Sequence, residues 1–165
     1  MNRKSVFVLI AIVLPGAIAL GLYLTSDGRI IKKRFALLAE AICKEAGEKP
    51  ITTGIQAKNL EPLFGGSCTF SVEEHGLTGT FTRDEIVRYA PAARLRFTTI
   101  DLTFTDFSME YPSDGSAVVS VTARFIGSRG QAGEMDEIIE LEVHLRESEE
   151  GWVFTDFTAV DVLEK

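Results

Sequence analysis

Two carboxylates stand where the sequence pattern would bury them. The alternation that puts Ile100, Leu102 and Phe104 on one strand face carries Asp106 onto that face as well. Further along, Asp156 continues the face of Trp152 and Phe154. A carboxylate among apolar side chains loses hydration, its pKa rises, and it can then act as a general base near neutral pH. The competing expectation is structural: a bulge near Asp106 turns that side chain outward, and Asp156 lies near a strand middle where the sheet leaves any pocket.

The other residues able to do chemistry lack suitable partners. Glu140, Glu142 and His144 alternate along one polar strand face, which a solvated surface explains better than a metal site, and neither a metal nor a cofactor is expected. His75 sits in the turn Glu74-His75-Gly76, and Tyr89 and Tyr111 lie in no recognisable catalytic setting. The glycine-rich run from Gly127 to Gly133 lacks the lysine and the following helix of a phosphate loop and reads as a strand connection. Cys43 and Cys68 are too few for a disulfide scaffold. They either bridge the first helix to the first strand in an oxidising compartment or remain two buried thiols.

Several elements must position these groups. Ile31, Phe35, Leu38 and Ile42 form one apolar stripe, so the spacing predicts a helix from Asp27 to Gly47. Glu48 to Gly66 carries Pro50, Pro62 and three glycines and reads as a connection with one short helical turn near Leu60. Cys68, Phe70 and Val72 alternate with polar residues as a half-buried strand, and the turn at Gly76 leads into Leu77 to Phe81 as the second arm of a hairpin. Thr82 and Glu85 make a capping box that opens a short helix limited by Pro91. From there period two dominates: strands at Leu95 to Met109, Ala117 to Phe125, Ile139 to Leu145 and Trp152 to Leu163 form an antiparallel meander. In the first of these the parity slips between Phe104 and Phe107, the signature of a β-bulge, so the sheet should be strongly curved.

Composition bounds the function. The chain has 165 residues, 45% apolar and 25% charged, which suits one globular domain and excludes disordered or collagen-like classes. Its net charge of −7 argues against nucleic acid as a partner. The charge is uneven: residues 134 to 165 hold 11 acids against Arg146 and Lys165, whereas residues 27 to 50 hold six bases against four acids.

Residues 1–26 form a separate region ahead of the domain at 27–165. No charge interrupts Ser5 to Ser26, and the apolar run 6–24 would span about 28 Å as a helix, the thickness of a hydrocarbon core. Two readings fit, a retained transmembrane anchor or a signal peptide cut near Ala17-Ile18-Ala19. The apolar run continues through Leu20 to Leu24, past the cut, which favours the anchor. Basic residues flank both ends of the run, so their count does not decide the orientation; the short tail with Arg3 and Lys4 is the usual start of a bacterial signal anchor, and the expectation is a domain outside the cytoplasm at the inner membrane. Arg29, Lys32, Lys33 and Arg34 after it either meet anionic headgroups or are a solvated helix start.

The order helix, hairpin, short helix and four long antiparallel strands resembles the nuclear transport factor 2-like, or cystatin-like, α+β cone over residues 29 to 163. The resemblance is carried by Phe35-Ala36-Leu37-Leu38, Thr82 to Val87, Ile100 to Phe104 and Gly151-Trp152-Val153-Phe154. It implies a curved antiparallel sheet wrapped on helices, with an apolar cone lined by Phe35, Leu38, Phe70, Phe104, Trp152 and Phe154. It does not choose a function. Ketosteroid isomerase, a member of that superfamily, needs a tyrosine on the first helix facing the pocket, and none is present there. The expectation is therefore a non-catalytic, membrane-anchored binding or assembly module of the bacterial envelope, taking a small apolar ligand in the cone or a protein partner. The partner would be a second copy or an envelope protein on the exposed sheet face with Arg124, Glu140, Glu142 and His144. The alternative is an isomerase or cyclase type of enzyme using Asp106 or Asp156.

Overall fold

A computed structural model describes residues 27–73 and 76–160. The apolar run 6–24 and His75 lie outside the described residues, and among the described residues no helix is long and apolar enough to cross a membrane. The chain divides into two units, Met1–Lys33 and Arg34–Lys165. Of the first, residues 27–33 are described, and they are helical.

In the second unit, residues 34–42 continue this helix, α1 (27–42), and bury Phe35, Leu38 and Ala41. The helix stops five residues before Gly47, and Ile42 is only half-buried. Beyond it comes the main departure from the sequence reading. The presumed connection holds a ten-residue helix, α2 (Pro50–Asn59), and a 3-10 turn, Glu61–Leu63. Pro50 at the first helical position supplies a preset φ and costs no hydrogen bond there.

The strands β1 (Phe64–Val72) and β2 (Leu77–Thr82) form the expected hairpin. Thr82 then caps α3 (Arg83–Leu95): its hydroxyl accepts from the Glu85 backbone N–H, and the Glu85 carboxylate accepts from the Thr82 N–H. Pro91 does not end this helix, which runs on to Leu95. Arg94, one turn beyond the proline, is tied into buried carbonyls, and that anchorage outweighs the lost backbone bond. Leu95 is accordingly helical and not the start of a strand.

The meander follows as β3 (Thr99–Ser113), β4 (Ser116–Ser128), β5 (Glu134–Ser148) and β6 (Gly151–Ala159), each antiparallel to the next. The last strand ends at Ala159, and the remainder of its expected span, 161–163, lies outside the described residues. All six strands join in one sheet of order β2-β1-β6-β5-β4-β3, closed in the middle by a parallel β1–β6 pairing. Its inner face carries Val119, Val121 and Ala123 of β4, Leu141, Val143 and Leu145 of β5, and Phe154 and Phe157 of β6.

Curvature is measurable across this face. β3 and β6 are separated by two strands, which in a flat sheet would set them about 14 Å apart. Yet the Tyr111 and Trp152 rings approach to 6.4 Å between centroids. The bend is at the position of the parity slip: Asp106 and Phe107 together face the single residue between Ser120 and Thr122, and Asp106 has φ 56°.

Candidate functional site: an aromatic cone interior with its carboxylates outside

The interior is built around Phe35. Its ring meets Phe104 at 5.1 Å, Phe107 at 5.3 Å and Phe154 at 5.0 Å, all edge to face. Phe154 passes the contact to Phe157 at 5.2 Å, and Phe157 stacks on Phe70 at 5.4 Å with the planes 9° apart. Each such pair adds about 0.5–1.5 kcal/mol beyond the area it buries. Of the six residues expected to line the cone, Phe35, Phe70, Phe104 and Phe154 therefore fall in one aromatic array. Leu38 and Trp152 are also buried. The sequence reading missed Phe107 and Phe157, which extend the array. Each lies three residues beyond a core phenylalanine, and that odd spacing was the available signal.

Trp152 differs from its neighbours. Its ring packs on Tyr111, but its buried indole N–H has no acceptor. A buried donor without a partner costs about 1–3 kcal/mol.

Neither candidate acid is in this interior. Asp106 is exposed, and its carboxylate accepts a 2.9 Å hydrogen bond from the Thr105 hydroxyl. The bulge turns Phe107 inward and leaves Asp106 on the outer side. A second bulge does the same to Asp156. Leu145 pairs with Phe154, but His144 pairs with Asp156, so Thr155 is the extra residue. Asp156 therefore shares the outer face with His144, and Phe157, opposite Val143, returns to the core. The two acids reach the same face by the same device.

On that outer face Arg124 grips Asp136 through two bonds of 2.9 and 2.7 Å. Hydrogen bonding and the charge of the arginine hold the Asp136 carboxyl below its usual range. His144 Nε2 lies 3.1 Å from Glu142. Glu140, Glu142 and His144 do not converge, and no cluster suited to a metal occurs among the described residues.

Both cysteines are free. Burial, with a smaller contribution from the charge of Asp156, pushes the Cys68 thiol up to about 12. Cys43 is half-buried at the end of α1, where its sulfur accepts from the Leu102 N–H at 3.3 Å. A cleft of about 290 Å³ also opens between α1 and α2, lined by Arg34, Leu37, Glu40, Gln56 and Asn59. It was not foreseen, because α2 itself was not.

Comparison with solved structures identifies the architecture. A protein from Novosphingobium aromaticivorans, described as nuclear transport factor 2-like with a cystatin-like fold, superposes with a TM-score of 0.67 at 12% identity, covering 90% of this chain and 90% of its own. The Kfla4162 protein of Kribbella flavida gives 0.70 at 9% identity, over 86% of this chain and 94% of its own. A proposed dehydratase of the nuclear transport factor 2-like family from Streptomyces avermitilis gives 0.63 at 16% identity, over 85% and 99%. No protein-family model and no curated protein sequence matches the chain. The fold is thus the nuclear transport factor 2-like, cystatin-like α+β cone, and at these identities the likeness carries the fold alone.

Proposed function

We propose that this chain is a non-catalytic binding module of the bacterial envelope, anchored in the inner membrane by residues 6–24 and holding its cone domain outside the cytoplasm. One observation carries the non-catalytic part: both bulges send Asp106 and Asp156 to the outer sheet face and fill the interior with phenylalanines. The isomerase or cyclase alternative required Asp106 or Asp156 to face the ligand as general base. The interior favours an apolar occupant, and the unpartnered Trp152 N–H supplies one donor for a polar atom on it. A protein occupant would instead use the outer face, where Arg124, Asp136, Glu142 and His144 offer charges of both signs.

Native mass spectrometry of the full chain, extracted from membranes in mild detergent, tests this reading. A bound apolar molecule should persist in Asp106→Asn and Asp156→Asn and be lost or weakened in Phe104→Ala, whereas a second chain held on the outer face should persist in Phe104→Ala. A bare monomer under all extraction conditions contradicts it.

A further inference from the structure

α2 buries the wrong residues for an ordinary amphipathic helix. Its inward stripe is Thr53 and Ala57, continued by Leu60, whereas Ile51 and Ile55 lie one turn apart on the outward side, 71% and 56% exposed. Fully burying one isoleucine is worth about 1.5–3 kcal/mol, so a helix that buries a threonine and an alanine and shows two isoleucines to water has a second surface to satisfy. The charges on the helix itself share one sign, while the exposed acids Glu40, Glu45 and Glu61 lie on the segments before and after it. Lys49 and Lys58 flank the isoleucines, and no acid occurs from Lys49 to Leu60 in a chain of net charge −7.

The buried Arg94–Glu48 pair extends this surface. Glu48 precedes α2 and Arg94 ends α3, so their bond sets the last turn of α3 beside the first turn of α2. That brings Leu95, 68% exposed, and Arg96 near Lys49 and the start of α2. The outer sheet face differs: Asp106, Glu110, Asp136, Glu140 and Glu142 are exposed or at its rim beside Arg124 and His144, so acids are in excess there.

We propose that Ile51, Ile55 and Leu95, with Lys49, Lys58 and Arg96 around them, rest on an anionic lipid surface while the acidic sheet face points away from it. Apolar side chains enter the headgroup boundary and each lysine or arginine near it gains attraction to anionic lipid. Three apolar residues bind weakly by themselves. A chain held at the bilayer by its apolar run, however, has this face at a raised local concentration near lipid. The tether rests on the anchored reading above; the composition of the face does not.

The test uses the full chain reconstituted in vesicles of phosphatidylglycerol and phosphatidylethanolamine with brominated acyl chains. Ile55→Trp and Glu142→Trp are compared with the wild-type emission of Trp152. Bromination should lower the added emission of Ile55→Trp by about twofold and leave that of Glu142→Trp unchanged. The quenching should fall when Lys49→Glu and Lys58→Glu are added, or when phosphatidylcholine replaces the anionic lipid. An unquenched Ile55→Trp, or equal quenching at both positions, overturns the proposal. So does an Ile55→Trp emission already blue-shifted without lipid in a chain of doubled mass, which would make the face a contact between copies. Retention through a carbonate wash reports separately on the anchor, so a chain that washes off refutes the anchored reading while the quenching of added vesicles still decides the docking.

Discussion

Arg94 holds Glu48 by two hydrogen bonds, 2.6 and 2.7 Å to the two carboxylate oxygens, with the side chains only 4% and 10% exposed. The other terminal nitrogen of Arg94 donates to the carbonyls of Ala41, Ile42 and Cys43, which end α1 without intrahelical partners. One side chain thus joins α1, α2 and α3. Removing one partner of a buried ion pair leaves the other charge uncompensated, so Arg94→Ala should cost about 3–5 kcal/mol in denaturant unfolding. A loss below about 1 kcal/mol would show that the junction does not depend on it.

The same pair sets an acid limit. Burial alone would raise the Glu48 pKa, but hydrogen bonds from Arg94 and Thr53, with the charges of Arg94 and Lys44, outweigh it and the net shift is downward from 4.5. A lowered carboxylate pKa stabilises the fold at pH values above 4.5, and that stability disappears as pH falls through the lower folded value. Unfolding midpoints of wild type and Glu48→Gln should therefore converge below pH 4.5 and separate above it. A constant gap would contradict the linkage.

Phe35 is the centre of the interior, so Phe35→Ala should destabilise by about 3–5 kcal/mol, whereas Phe35→Leu keeps most of the volume and should cost less than half as much. Equal losses would mean that ring geometry, not filling, is what the site needs.

Asp106 occupies a left-handed backbone position at the bulge. Asp106→Gly should stay within about 1 kcal/mol of wild type, because glycine accepts that conformation freely, while Asp106→Val should lose about 1–2 kcal/mol or more. Neither change should alter what the cone binds. Loss of binding in the glycine variant would return the carboxylate to the site.

Much of this was legible in the sequence, for specific physical reasons. Thr82 and Glu85 signal a helix start through backbone bonding alone, so no tertiary information is needed. The parity slip between Phe104 and Phe107 marks the first bulge because the neighbouring alternation is regular. The second bulge was fainter: Trp152, Val153 and Phe154 are all buried, so only the three-residue step from Phe154 to Phe157 marked it, and Asp156 was assigned to the wrong face. α2 was missed for a related reason. Its isoleucines face outward and its buried residues are a threonine and an alanine, so the apolar pattern does not mark a core-facing helix. Pro91 misled because the buried Arg94 contacts act across more than fifty residues of sequence, as the separation of 53 from Ala41 shows.

Thiol chemistry offers a further check. With its pKa pushed to about 12 by burial and by Asp156, Cys68 should resist alkylation in the folded chain at pH 8 and react once unfolded. Mass spectrometry after timed iodoacetamide labelling reads this directly. Fast native labelling at Cys68 would contradict its place in the core.

The central claim, an anchored domain that binds outside the cytoplasm, is tested most directly by fractionation with protease accessibility on the full chain carrying a C-terminal tag. The account predicts that the chain stays with membranes and that protease removes the tag in spheroplasts but not in intact cells. A shortened soluble product would place a cleavage near Ala19, and a membrane-bound tag protected in spheroplasts would put the domain in the cytoplasm; either result contradicts it.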